Sequence, residues 1–511
     1  MKIFMACAVL LGAALAGEAP MDAAETRAFM KSLAQFAVTH HLKTNAASAQ
    51  CGMMYEYWDH TRAGKLGEFI QGEGLDTMHD GAWFAVAMVN AYRATGDKFY
   101  KEILTRWQLP FYLKMLNHGD ELFTAERNDG RPGDDRGWRG SKEWLLQGRE
   151  KGFVPYWWDD GASVSLDMFA RKDGDQHVNF AARNEMAGQP NPEHRLSGYS
   201  HGSSNHMAQD LAVMLEQTWL LLHDSADPAE KKLAAEIAEA AQHLHDCRMR
   251  HFGHIPMVCA ALALTSGDKA ELARVPDANG ANYWKPDSHY FRAVHAFKPG
   301  VKMTVPGFAD DQQYRWYFGL ARSGGALPPA LAFKTIYDAF TEPLLYRMYC
   351  DDEPALPGIG VFDLHPYYFL DGKPLDVRSQ RKGPGGKPRP TGSRFGPQNM
   401  VCCGWALQIL RAQPGLREKL QAQKILPVAT EADVKMALER ELGGGLRTWE
   451  TLFKKYGYIP TGIGAGAAVG GHYQWEDLSD TGGYAHLISA ASQWLLHLEN
   501  RADWELQFGT K

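Results

Sequence analysis

Ser203-Ser-Asn-His-Met207-Ala-Gln-Asp-Leu211-Ala-Val-Met214-Leu215-Glu-Gln-Thr-Trp219-Leu-Leu-Leu222-His-Asp-Ser-Ala-Asp227-Pro228-Ala-Glu230-Lys-Lys-Leu233-Ala-Ala-Glu-Ile237-Ala-Glu-Ala240-Ala241-Gln-His-Leu244 is the stretch that decides the fold. Met207, Leu211, Met214, Leu215, Trp219 and Leu222 recur at spacings of three and four, which puts them on one stripe of a helix. Ser203 and Ser204 are cap residues ahead of it. Asp227-Pro228-Ala-Glu230 then offers an N-cap, a proline at the first helical position and an acid three residues on, so a second helix starts there with its own stripe, Leu233, Ile237, Ala240, Ala241 and Leu244. The two form an antiparallel hairpin.

The same signature appears elsewhere. Gly81 to Ala94 is helical, Thr95-Gly96-Asp97 turns the chain, and Phe99, Tyr100, Ile103, Leu104 and Trp107 continue on a second helix. Further helical segments are expected at about 328–350, 397–420, 431–457 and 482–500. Strand signals are sparse: Val154-Pro-Tyr-Trp-Trp158 and Ala162 to Met168 are the best short candidates, and the proline weakens the first. Helical hairpins without a fixed repeat motif suit a closed ring or an open solenoid. The long irregular stretches at about 118–202, 267–309 and 353–396 favour the ring, because they can gather at one end and wall a cleft. The expected fold is therefore all-α, an (α/α)n toroid of antiparallel hairpins. Residues 1–16 are set apart and 17–511 form one catalytic domain. The basic run Arg381 to Gly396 reads as a solvated loop.

Residues Met1 to Ala16 have the form of an export signal, with Lys2 ahead of the apolar run Ile3 to Ala13 and a small-x-small site at Ala14-Leu-Ala16. The expectation is a secreted or periplasmic protein whose mature chain starts near Gly17. The apolar run is too short to span a bilayer, and no later stretch is long and apolar enough, so no membrane insertion is expected. The formal net charge of -6 supplies no basic excess for phosphates and excludes nucleic acid as the expected partner. Fifteen tryptophans and 20 tyrosines are many, and aromatic faces stack on sugar rings. Outside the leader lie Cys51, Cys247, Cys259, Cys350, Cys402 and Cys403. So few in so long a chain make no disulfide scaffold, and the adjacent Cys402 and Cys403 read as core.

Chemistry concentrates in Ser197-Gly-Tyr199-Ser-His201-Gly-Ser-Ser-Asn205-His206, a polar approach to a helix N-terminus whose free N–H groups and dipole favour an anion. At the far end of the hairpin stands Cys247-Arg248-Met-Arg250-His251-Phe-Gly-His254. Antiparallel pairing brings this end beside Asn205 and His206. Such a set suits a uronate: Asn, His and Arg stabilise the carboxylate and the enolate-like intermediate of β-elimination, and Tyr or His moves the protons.

On these residues the chain resembles the helical-toroid polysaccharide lyases, the alginate and glucuronan lyases in particular, with polysaccharide lyase family thirty-eight the nearest match. The resemblance implies an anionic, uronate-containing polysaccharide as substrate. It implies Asn205 and His206 at the first element and Arg250 or Arg248 as the arginine. It also implies a tyrosine soon after the arginine, which is absent here, since none occurs between Tyr199 and Tyr283. Its role then passes to Tyr199, His254, Tyr283 or Tyr290, with Tyr283 otherwise on the substrate beside His201 and Arg248.

A second enzyme reading competes. Gln71 to Trp83 sets His79, Asp80 and Trp83 at a helix entrance, and Tyr156-Trp157-Trp158-Asp159-Asp160 puts two carboxylates beside two indoles. A toroid glycoside hydrolase would pair Asp80 with Asp159 or Asp160, one acid protonating the leaving oxygen and one carboxylate activating water. Under the lyase reading Trp157 and Trp158, with His79 and Trp83, bind sugar instead. A non-catalytic glycan-binding envelope protein is the third reading. Neither HExxH nor CxxC occurs, and no cofactor or metal is expected. The glycine run Gly462 to Gly471 lacks the βαβ setting of a dinucleotide loop, and no GxSxG elbow is present.

Overall fold

The computed structural model describes residues 20–46, 51–55, 57–60, 77–118, 151–152, 203–251, 256–270, 272, 311–323, 368–370, 373–375, 391–392, 395–412, 435, 438–463 and 477–507. Its helices in chain order are α1 (Ala23–His40), α2 (Thr77–Thr95), α3 (Lys98–Ile103), α4 (Leu109–His118), α5 (Ser203–Leu222), α6 (Pro228–His251), α7 (Pro256–Ser266), α8 (Asp311–Arg322), α9 (Phe395–Ala412), α10 (Gly445–Tyr456) and α11 (Thr481–Leu498). The strands are short antiparallel pairs, β1 (Tyr57–Asp59) with β6 (Leu478–Asp480), β2 (Tyr368–Leu370) with β3 (Lys373–Leu375), and β4 (Thr391–Gly392) with β5 (Gly462–Ile463). No described helix is long and apolar enough to cross a membrane.

The helices close into a ring. Each of α2, α5, α7, α8, α9 and α11 packs on the next, and α11 packs back on α2. Outside them lie α1 against α11, α4 against α6, α6 against α5 and α7, and α10 against α11. The chain is therefore an α/α toroid. Local composition explains the two layers. Neighbours enclose ring helices on nearly every side: Thr481 through Leu496 of α11 are all buried, as are Pro256 through Ala263 of α7. The outer helix α10 is instead amphipathic, with Leu446, Trp449 and Leu452 inward and Thr451, Lys454 and Lys455 outward. Each Leu or Ile so buried contributes about 2 kcal/mol.

Local signals fix the helix ends. Asp22 and Glu25 form a reciprocal capping box on α1, Asp97 caps α3, Asp480 caps α11, and Gly457 with φ 80° stops α10 in a left-handed turn. Close packing needs small residues: a Cβ on Gly443 would lie 2.5 Å from the Trp494 ring, and one on Gly404 would lie 2.5 Å from Gln493 Cβ.

Side-chain pairs give the direction of the ring helices. Trp83 of α2 meets His486 of α11, and Asn90 and Arg93 share a cavity wall with Ser492, Gln493 and Leu496. On α9 and α11, Gln398 meets His486 and Gln408 meets Gln493. On α5 and α8, Asp210 meets Trp316 and Glu216 meets Arg322. Trp504 carries Arg93 on one contact and Arg322 on another, while Arg315 lies over Trp83. So α2, α8, α9 and α11 run the same way, and α5 runs with α8. Their N-termini meet at one mouth.

The opposite end is closed by the chain itself. After α11 the segment Asp503-Trp504-Glu505 turns back into the ring, with Asp503 and Glu505 buried to 2% and 0% exposure. Trp405 Nε1 and Gln493 Nε2 donate to Asp503 Oδ2, Arg315 Nε donates to Glu505 Oε2 at 3.0 Å, and Arg322 Nη1 donates to the Glu505 carbonyl at 2.7 Å.

The helix expected near 328–350 and both candidate strands, 154–158 and 162–168, fall outside the described residues, as do most of the irregular stretches. The expected hairpin at 81–107 is present, although a π-helical turn at Leu104–Gln108 joins α3 to α4. Gly462-Ile463 is a short strand paired with Thr391-Gly392. Cys402 and Cys403 are buried on α9, as expected of core.

Candidate active site at the ring mouth

Three buried carboxylic acids lie near the N-terminal ends of ring helices. Asp80 stands in the first turn of α2, Asp210 two turns into α5 and Asp311 at the first position of α8, all three exposed by 1% or less. Aspartate is common at a helix start because it accepts from free N–H groups and suits the dipole. Complete burial of three of them needs more than capping.

Asp311 is the best held. Arg315, one turn on, pairs with its Oδ2, and His486 Nδ1 of α11 stands 3.2 Å from the same oxygen. Nδ1 therefore carries the proton, and Nε2 faces the amide of Gln398 at 3.3 Å, where Gln398 Nε2 donates. Burial works against the charge on Asp311, but the Arg315 guanidinium and the hydrogen bonds from His486 and Arg315 outweigh it and hold the carboxyl below the usual range. Asp311 Oδ1, Arg315 Nη2 and Gln398 Oε1 are buried and meet no hydrogen-bond partner among the described residues. The site thus presents one donor and two acceptors around an ionised carboxylate. The Arg315 guanidinium lies over Trp83 and Trp405, 5.5 and 5.1 Å from their centroids, so indoles confine it at the ring axis. Asp210 is fixed by the Trp316 indole N–H at 2.9 Å.

The expected site residues fall unevenly. Asn205 and His206 lie in the first turn of α5 and Arg250 in the last turn of α6, with their side chains outside the described set. The two helices do pack together, and Gln209, one turn beyond Asn205, accepts from Met257 N at the start of α7 at 3.4 Å. The entrance of α5, the exit of α6 and the entrance of α7 are therefore neighbours, which is the juxtaposition antiparallel pairing implies. Arg248 is buried, with 2% of its surface exposed. His79 lies in the first turn of α2, its side chain again outside the described set. Trp83 is buried with its face toward Arg315. Tyr199, His201, His254, Tyr283, Tyr290, Trp157, Trp158, Asp159 and Asp160 fall outside the described residues.

Sequence reading passed over Asp311, Arg315, Gln398 and His486. The Asp311-x-x-x-Arg315 spacing was the available signal, a pair one helical turn apart. Among the described residues no group of three or more His, Cys, Asp or Glu is placed to hold a metal ion.

Beside the mouth, the β1–β6 ladder supports a second polar cluster. Ser479 Oγ lies 2.7 Å from His41 Nε2 and 2.8 Å from His60 Nε2. His41 Nδ1 faces the Tyr55 carbonyl at 3.0 Å, so the proton sits on Nδ1 and Ser479 donates to Nε2. Burial lowers both imidazoles to about 3, so both are neutral. Ser479 is fully buried, and the cluster ties α1 to the entrance of α11.

No protein-family model matches the chain, and no curated protein matches it. Among solved structures it is similar to an inactive variant of an alpha-1,6-mannanase of Salegentibacter sp. HEL1_6 in complex with alpha-1,6-mannotetrose, at 11% identity and a TM-score of 0.35 over 92% of this chain and 99% of that one. It is also similar to an endoglucanase from the termite Nasutitermes takasagoensis, at 9% identity and a TM-score of 0.41 over 92% and 98%. Neither is a lyase, and the expected kinship with lyase family thirty-eight finds no support in them. The architecture stands on the chain's own closed circuit of helices, not on these likenesses.

Proposed function

We propose that the chain is a carbohydrate-cleaving enzyme that hydrolyses glycosidic bonds at the mouth of its helical ring. The observation that carries this reading is the buried, ionised Asp311, held by Arg315 and His486 with one oxygen still without a partner among the described residues. Glycoside hydrolysis needs a carboxylate that stays charged and a carboxylic acid that gives up a proton. Asp311 takes the first role, because the positive charge beside it keeps it ionised, and it activates water or attacks the sugar. Asp80, Asp159 and Asp160 supply the candidates for the acid. Gln398 and the Arg315 guanidinium orient sugar hydroxyls as acceptor and donor. Residues 1–16 act as an export signal in this account, so the enzyme meets its polymer outside the cytoplasm.

A second reading keeps β-elimination of a uronate. It is supported by the neighbouring entrance of α5 and exit of α6, which carry Asn205, His206 and Arg250. Product chemistry separates the two readings. On a panel of neutral and uronate polysaccharides, hydrolysis yields new reducing ends without near-ultraviolet absorbance. An unsaturated, absorbing uronide would overturn the hydrolytic reading in favour of the lyase.

A further inference from the structure

At the plugged end of the ring, a cavity of about 220 Å³ lies between α2, α11 and the returning C-terminal segment, far along the helices from the mouth. Arg501 and Ala502 on its rim are exposed, so solvent reaches it. Its polar groups are mostly engaged. Gln493 Nε2 donates to Asp503 Oδ2 and its Oε1 accepts from Gln408; Asp503 Oδ1 accepts from Glu505 N. Ser492 Oγ donates to the Ile488 carbonyl, and Arg501 donates to the carbonyls of Ala94 and Arg93.

Two groups are left, and both are donors. Asn90 is 4% exposed, and its Oδ1 accepts from Trp504 Nε1 at 3.3 Å. An indole N–H can only donate, so this bond fixes the amide orientation and turns Nδ2 the other way. Asn90 Nδ2 and Arg93 Nε are buried and have no acceptor among the described residues. The Arg93 guanidinium lies 4.1 Å from the Trp504 ring centroid and shares that indole with Arg322, at 5.0 Å. Arg322 is paired with Glu216 through both of its ends, at 3.1 and 2.9 Å, whereas no described carboxylate pairs with Arg93. Burial and the neighbouring Arg322 charge work against the Arg93 cation, and the carboxylates of Asp503 and Glu505 offset them only in part, so the charge is costly to keep.

We infer that this cavity binds a small oxyanion, a carboxylate or a phosphate, whose oxygens accept from Asn90 Nδ2 and Arg93 Nε and whose charge balances Arg93. The occupant locks Asp503-Trp504-Glu505 against α2 and so fastens the closed end of the ring. This inference is independent of the glycan reading, since none of these residues belongs to the mouth.

The test uses the full chain, with inorganic phosphate, acetate and uncharged glycerol as probes, read by calorimetric titration and by thermal unfolding. Saturable one-to-one binding of phosphate or acetate, with a rise in Tm and no response to glycerol, is the expected result; the two anions rank the phosphate and carboxylate alternatives. Asn90→Asp keeps the acceptor for Trp504 but replaces the free donor by a carboxylate beside Arg93. It should fold, melt no lower than the parent without anion, and bind anions at least tenfold more weakly. Arg93→Gln should also lose binding. The inference is overturned if the parent shows no saturable response, if glycerol acts as well as the anions, or if Asn90→Asp binds them as tightly as the parent.

Discussion

Arg315 reaches the ring axis from α8 and donates to Glu505, 190 residues later in the chain, at 3.0 Å, with both side chains fully buried. One guanidinium thereby links Asp311 at the mouth to the segment that plugs the opposite end. Burial pushes the Glu505 carboxyl up, against the pull of Arg315, so the pair persists because each charge compensates the other.

Replacing Glu505 by Ala leaves Arg315 with Asp311 as its only buried counter-charge among the described residues and removes the acceptor of Gln217 Nε2. A loss of about 3 kcal/mol is expected from breaking such a pair. Urea unfolding of Glu505→Ala should show it, while Glu499→Ala, on the partly exposed end of α11, should cost under about 1 kcal/mol.

Acid should weaken the fold through His41. Its folded-state value of about 3 lies below the value near 6.5 of an unfolded histidine, mainly through burial. The unfolded chain therefore takes up the proton first. The contribution is complete above pH 6.5 and is lost as the pH falls from there toward 3. Between pH 8 and pH 5 this amounts to about 2 kcal/mol. His41→Gln, measured by urea unfolding at both pH values, should be less stable than the parent at pH 8 and should lose less on acidification. An unchanged pH slope would show that the neutral His41–Ser479 bond is not its source.

Gly443→Ala should cost about 1–3 kcal/mol, because the new methyl meets the Trp494 ring at 2.5 Å within a well-packed wall. Gly96→Ala meets no atom within 4 Å; its penalty comes only from φ 72° and should be about 1 kcal/mol. Thermal unfolding of the two variants compares steric crowding with backbone strain.

The ring was legible in the sequence wherever period and punctuation agreed. The stripe from Met207 to Leu222, the Asp227-Pro228 start and the Thr95-Gly96-Asp97 turn mark helix pairs by local physics alone. Closure was suggested only indirectly, by the long loops, since the contact of α11 with α2 joins segments about 400 residues apart and leaves no local trace. The mouth shows the same divide. Asp80 was visible as an acid at a helix entrance. Asp311, Gln398 and His486 come from three separate helices, and nothing in the neighbourhood of each reveals that the others stand beside it. Nor could local pattern reveal the plug: Asp503-Trp504-Glu505 is polar, terminal and short, the composition of a solvated tail, yet Asp503 and Glu505 accept from donors inside the ring and Trp504 donates to Asn90 Oδ1.

In the proposed reaction Asp311 acts as an ionised carboxylate on a glycosidic bond. The direct measurement is kcat/KM for the parent, Asp311→Asn and Asp311→Ala on whichever glycan the parent cleaves, with circular dichroism confirming that each variant is folded. A loss of at least about 100-fold is expected in both variants, with partial recovery of Asp311→Ala by added formate or azide, which enters the vacated space and replaces the carboxylate. Folded variants that cleave the glycan at the parental rate would contradict it.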